Sequence, residues 1–168
     1  IQATFKEAGN LLSGVYAAAG RKFNEPNKTL FDNPFTQFIK ATAEVHKTFS
    51  LGSSLKLATR LFGGIIYTYG NSTVAPYSEQ FNIGGANSVR AFTVRSIGPG
   101  RFKSDQTKYS YMDQTGDVKL AANAELRFPL FGSLYGATFL DAGNVWLLRK
   151  DESRPGGQIN AKDFLNSI

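Results

Sequence analysis

Long runs of alternating apolar and polar residues constrain this chain more than anything else in it. From Val118 to Phe128 the even positions read Val118, Leu120, Ala122, Ala124, Leu126 and Phe128, and the odd ones Lys119, Ala121, Asn123, Glu125 and Arg127. Gln37–Phe49 repeats the pattern, with Ile39, Ala41, Ala43, Val45 and Phe49 against Lys40, Thr42, Glu44, His46 and Thr48, and Lys47 breaks the apolar face near the end, where a rim would be. A repeat of two residues is the signature of a strand with one apolar and one polar face. Leu55–Tyr69 follows the second run after a turn at Leu51-Gly52-Ser53-Ser54, and the pair predicts a hairpin. Its odd positions are mostly apolar, whereas its even positions begin with Lys56 and Arg60 and then also turn apolar. Pro129 is expected to end the first ladder because it lacks an N–H. Leu130–Ser133 then turns the chain into a fourth run, Leu134–Trp146, with Asp141 on the face opposite Leu140 and Ala142.

Length separates the fold classes. Globular strands average ~5–6 residues, whereas a tilted membrane-crossing barrel strand needs about 9–11. Every run above meets the second requirement. No stretch of 18 apolar residues occurs, so no helical span is predicted, and barrel strands give only an alternating signal. The expected fold is all-β: an antiparallel transmembrane β-barrel, present in part as about five or six strands. A soluble all-β binding module with a long recognition loop remains the alternative. Helical periodicity is not sustained anywhere. Ile1–Glu7 alternates, Leu11–Ala19 is read as a small-residue-rich strand or a strand continuation, Arg21–Pro34 as a loop, and Phe164–Ile168 as the start of a further strand.

Residues 71–117 form the long connection. Connections of this length are uncommon in compact folds and are usually functional or disordered. This one carries Gly84 and Gly85, then Val89, Arg90, Ala91 and Phe92. Glu125 and Asp141 stand on the polar faces of two later runs that are predicted neighbours. A guanidinium fork suits paired carboxylates, so the three residues are candidates for one cluster. Against this, Glu125 could be satisfied by Arg127 on its own strand, leaving both acids as solvated wall residues.

The order of motifs is itself informative: Gly-Gly followed by Val89-Arg90-Ala91-Phe92, then Ala124–Pro129, then Phe139–Trp146. Over roughly Leu30–Trp146 the chain resembles the barrel of the bacterial outer-membrane assembly factors, the BamA/TamA-type surface-antigen superfamily. The family motif is Val-Arg-Gly-Phe or Val-Arg-Gly-Tyr, so Ala91 departs at the third position. The resemblance implies a C-terminal-half fragment of a sixteen-stranded barrel, with no POTRA domain in this chain. It implies that the loop folds inward and that Arg90 pairs with Glu125 and Asp141, a structural and gating role. It further implies assembly, insertion or transport of outer-membrane proteins without catalysis or cofactor. The implied location is the bacterial outer membrane, and the implied partners are its lipid bilayer, client β-barrel proteins and accessory assembly lipoproteins.

The remaining signals are weaker. The chain starts at Ile1 without Met or a signal peptide, as expected of a fragment or processed product. The net charge of +6 comes from dispersed residues, which argues against nucleic acid. With no cysteine, disulfides and thiolate metal sites are excluded. His46 is the only histidine and has no ligand-spaced partner, so it is expected on the wall and not at a metal. Ile97–Arg101 lacks the Lys-Ser/Thr of a phosphate loop and reads as a turn. Asp105, Asp113 and Asp117 are too scattered for a calcium loop. Tyr67, Tyr69 and Trp146 fit either an interfacial aromatic girdle or ordinary strand packing.

Overall fold

The computed structural model describes residues 1–103 and 114–160. The expectations for Asp105, Asp113 and Phe164–Ile168 fall outside that range, as does part of the 71–117 connection. The main element is a five-stranded antiparallel sheet of β1 (Gln2–Ala8), β4 (Gln37–Ser50), β5 (Lys56–Tyr69), β6 (Val118–Phe131) and β7 (Leu134–Trp146), paired in that order. Between β1 and β4 lie α1 (Asn10–Ala18) and a two-residue ladder of β2 (Thr29–Leu30) with β3 (Asn33–Pro34). The sheet is open at both ends among the described residues.

Register makes the alternation a property of the whole sheet. Ala43 pairs with Gly63, Leu61 with Ala122, and Ala124 with Leu140, so one face is mostly apolar, interrupted by Glu7 of β1, Lys47 and Thr59 near the β4–β5 turn, and Asn144 of β7. That face is bare: Phe5, Leu61, Ile65 and Leu140 are all exposed, Leu140 at 75%. The opposite face carries Lys40, Glu44, Arg60, Lys119, Asn123, Glu125 and Asp141, and the long connection lies against it.

The connection also explains why the even positions of β5 turn apolar. Phe81, Ile83 and Val89 of the loop pack with Phe38, Ile66, Ala121 and Val145 of the sheet, and this is the hydrophobic core. Phe62 meets Phe81 edge-on at 6.3 Å. Gly64 leaves room for that ring, since a Cβ there would lie 2.6 Å from the Phe81 ring. The sheet thus packs its loop on one side where a soluble sandwich would pack a second sheet.

Three expectations need correction. Leu11–Ala19 is not strand: Asn10–Ala18 is helical, so helical structure is present. Gly9 breaks the extended run at φ 75°, a left-handed conformation that glycine adopts freely. Pro129 does not end the ladder. It still faces Tyr135, with the register irregular between Pro129 and Phe131, because a bulge absorbs the missing donor. Arg21–Pro34 is not all loop, since it holds the β2–β3 ladder. Trp146 is fully buried, which removes it from any girdle, whereas Tyr67 and Tyr69 stack at 6.1 Å on the apolar face.

Candidate functional site

The loop reaches its site as a narrow arch. Arg95 N donates to Ile83 O at 2.8 Å, and Gly85 N donates to Phe92 O at 2.7 Å, closing the base. Within the arch Ser88 N bonds Gly85 O and Phe92 N bonds Val89 O. Gly84, at φ 103°, passes so close to the Thr93 carbonyl oxygen that a Cβ would collide with it. Val89 is buried beneath the arch and Phe92 is exposed. Ala91 is not among the residues with positive φ. The chain turns there without needing glycine, so the departure from the family motif carries no backbone strain.

Arg90 projects from the arch onto β6 and β7. Its Nε donates to Asp141 Oδ2 and its Nη2 to Asp141 Oδ1, each at 2.8 Å, a bidentate fork. The backbone N–H of Arg90 reaches the same carboxylate at 3.1 Å, and its Nη1 donates to Glu125 Oε2 at 2.5 Å. The guanidinium carbon stands 3.9 Å from the centre of the Phe139 ring, within cation–π range. Asp141 and Glu125 together hold the Arg90 guanidinium pKa above its ordinary value, with Asp141 the larger cause.

The two acids are unequal. The Asp141 side chain is only 3% exposed and also accepts from Asn123 Nδ2 at 2.8 Å. Asn123 donates in addition to Ser88 O at 2.6 Å, tying the arch to β6. Glu125 is shared, because Arg127 Nε donates to its other oxygen at 2.7 Å. Both readings of Glu125 therefore have their contact: it meets the neighbouring Arg127 and the loop's Arg90.

Further ties between loop and wall escaped the sequence reading. Glu79 takes Lys6 of β1 as an ion-pair partner and Lys40 of β4 at 3.3 Å, and Lys40 also donates to Glu79 O at 2.8 Å. The Lys6 bond, ahead of Lys40, holds the Glu79 carboxyl below its ordinary pKa. Arg60 of β5 donates to Glu44 and to Asn87 O, and Lys119 of β6 donates to Asn82 O at 2.7 Å. The loop thereby contacts all five strands. Pairs as remote in sequence as Lys6 and Glu79 leave no local signature; the one available cue was a row of charges on otherwise alternating strands. His46 sits 2.9 Å from Glu44 and is largely exposed. No group of three or more metal-ligating side chains occurs among the described residues. Phe102 N bonds Pro99 O, so Ile97–Arg101 contains the expected turn.

A barrel-type wall with an arginine-tipped loop folded on its polar face now has its counterpart among known proteins. The model of the Omp85 superfamily domain matches residues 13–164. The chain belongs to the Omp85 superfamily. Among curated relatives, this Omp85 chain is 33% identical over 115 residues to the outer membrane protein assembly factor BamA of Neisseria meningitidis serogroup B, covering 66% of the chain and 14% of that protein. It is 30% identical over 131 residues to the sorting and assembly machinery component 50 homolog A of Xenopus laevis, covering 73% of the chain and 26% of that protein. A mouse homolog of component 50 is 31% identical over 124 residues, or 68% of the chain and 24% of the relative. The chain therefore spans 14% to 26% of the length of these relatives.

Proposed function

We propose that this Omp85 chain forms part of the wall of a sixteen-stranded transmembrane β-barrel in the bacterial outer membrane. In this reading the barrel assembles, inserts or translocates other outer-membrane proteins. The apolar face of the sheet meets lipid and the charged face lines the lumen. The observation that carries this is the asymmetry of the sheet. Its apolar face is exposed on strands of 13 or 14 residues, while the polar face is covered by the chain's own loop. A soluble module would need its apolar face covered instead, so the exposure favours the membrane reading.

In this reading Arg90 acts as a latch and not as a catalyst. Its fork holds the arch against β6 and β7, and it performs no bond chemistry. Clients are unfolded β-barrel chains, in keeping with a relative named as an outer membrane protein assembly factor, with accessory lipoproteins as further partners. Insertion into a bilayer is downhill for strands that pair all their backbone groups, so no enzymatic step or cofactor is required of this machine.

The test uses the full-length protein in lipid vesicles and follows the protease-resistant fold of an added client barrel. Arg90→Ala should slow client folding while the protein itself stays membrane-embedded. Client folding at the unaltered rate would refute the latch. Recovery of the unaltered protein in the aqueous phase would refute the barrel.

A further inference from the structure

The segment between β1 and β4 is built with its polar side inward. On α1, Ser13 is buried, whereas Leu11 and Val15 are 83% and 64% exposed. Positions 11, 14, 15 and 18 share a helical face, here Leu11, Gly14, Val15 and Ala18, without a polar group. The opposite side is held by polar contacts. Ser13 Oγ accepts from Lys28 Nζ at 2.7 Å, Tyr16 donates to Thr29 O and stacks on Phe35 at 6.3 Å, and Tyr69 donates to Asn10 Oδ1.

The position of this segment follows from parity. Gln37 and Tyr69 are register partners that continue the apolar face above Ile39 and Tyr67. Gln37 is nonetheless fully buried, against Gly9 and Gly70, and its Oε1 accepts from Asn71 N at 3.1 Å. Residues 9–37 therefore cap one end of the apolar face, on the side away from the Arg90 loop. Directly below, Tyr67 remains exposed. Arg21 and Lys22 follow the helix at the surface, with Arg21 5.6 Å from the Tyr16 ring centre. In the same segment Phe31 is exposed at the tip of the β2–β3 ladder with φ 49°, a conformation that is an outlier for a bulky residue.

We propose that α1 and its flanking turn form a collar seated in the headgroup–acyl boundary of an anionic lipid leaflet. Leu11 and Val15 enter the acyl edge, and Arg21 and Lys22 meet lipid phosphates. The collar rests on the barrel reading, because only then is the face beneath it lipid-covered. Three observations converge on lipid as the occupant. The helix starts beside the exposed apolar face of the strands, where Tyr69 donates to Asn10 Oδ1. Exposed cations stand beside it, the charge complement of anionic headgroups. A helix of nine residues is shorter than the ~12–15 needed for stability alone, so its bare side gains from a surface to lie on.

The test places a nitrobenzoxadiazole label on Leu11→Cys, Val15→Cys or Phe5→Cys in the full-length protein, with any native cysteines elsewhere in it replaced. The protein is reconstituted in phosphatidylethanolamine–phosphatidylglycerol vesicles, with lipids brominated near the top of the acyl chain or with aqueous iodide as quenchers. The labels at 11 and 15 should lose emission to brominated lipid as the one at Phe5 does, and little to iodide. Quenching by iodide without quenching by brominated lipid would overturn the collar. So would shielding from both quenchers, which would mean that another part of the protein covers the helix. Failure of brominated lipid to quench at Phe5 as well would overturn the barrel reading on which the collar rests.

Discussion

Replacing Arg90 by alanine is the perturbation whose size the structure defines best. It removes three side-chain hydrogen bonds: two to Asp141 at 2.8 Å and one to Glu125 at 2.5 Å. Glu125 keeps Arg127 and is partly exposed, so its share is within the ~0–1 kcal/mol of a surface pair. Asp141 is the costly partner, since stranding a buried charge costs about 3–5 kcal/mol. It retains Asn123 Nδ2 and the backbone N–H of residue 90, which places the loss at the lower end, about 3 kcal/mol. At 1.4 kcal/mol per decade, the arch should open about a hundredfold more often. Hydrogen exchange at the arch amides of Gly85 and Phe92, measured on the full-length protein in detergent micelles, reads this directly. Arg90→Lys keeps the charge but loses the fork, and should fall between alanine and arginine. A change below about tenfold for alanine would refute the assignment of Asp141 as a buried charge that depends on the fork. Protection in Arg90→Lys equal to that of the unaltered protein would show that charge alone suffices.

Four further perturbations probe the loop, its root and the segment after β7. Glu79→Gln should loosen the root of the loop by roughly 1 kcal/mol, because Lys6 is half exposed and screened; its effect on limited proteolysis should add to that of Arg90→Ala, since the two share no partner. Gly84→Ala should open the arch by more than ~1 kcal/mol through strain at φ 103° and the collision with Thr93 O, read as lost protection of Gly85 N–H. Ala91→Gly should not stabilise the loop and should cost up to ~1 kcal/mol in thermal unfolding, since it frees the unfolded chain without relieving strain. Asp151, held down to about 2 by Ser153 and Arg154, has a folded pKa below its ordinary ~3.9. Its stabilising contribution is therefore present above the ordinary value and is lost as pH falls through about 2; carboxyl titration by NMR should place the inflection there.

Much of the wall was legible because a two-residue repeat leaves little freedom. β4 and β6 follow the alternation of Gln37–Phe49 and Val118–Phe128, and their polar rows face the loop. What alternation cannot show is which other segment touches a face. The even side of β5 turns apolar because Phe81 of the loop packs on it at Phe62 and Gly64. Glu79 carried no motif, and its lysines lie on strands far away in sequence. α1 escaped for a different reason: Leu11 and Val15 mark the exposed side, so the apolar spacing that announces a helix core is inverted, and Gly14 beside the β-branched Val15 lowers its helical signal. Pro129 was expected to break a ladder, but at the turn end of a hairpin a bulge accommodates it. Arg90, Glu125 and Asp141 were nameable from chemistry and motif order, whereas the dominance of Asp141 over Glu125 needed the burial of one and the sharing of the other by Arg127. One design consequence is that a charge reversal pairing Arg90 with Glu125 should restore less order than one pairing Arg90 with Asp141.

The central claim is that the Arg90 loop lies against the inner wall of a membrane-embedded barrel, and cross-linking in native membranes tests it most directly. Ser88 O and Asn123 Nδ2 are 2.6 Å apart, so Ser88→Cys and Asn123→Cys should be joined by a short bismaleimide in the intact protein. The account predicts efficient linkage that drops sharply when Arg90→Ala is added. No linkage in the otherwise unaltered protein, with a control pair across β6 and β7 at the exposed register partners Arg127 and Ala137 linking normally, would contradict it.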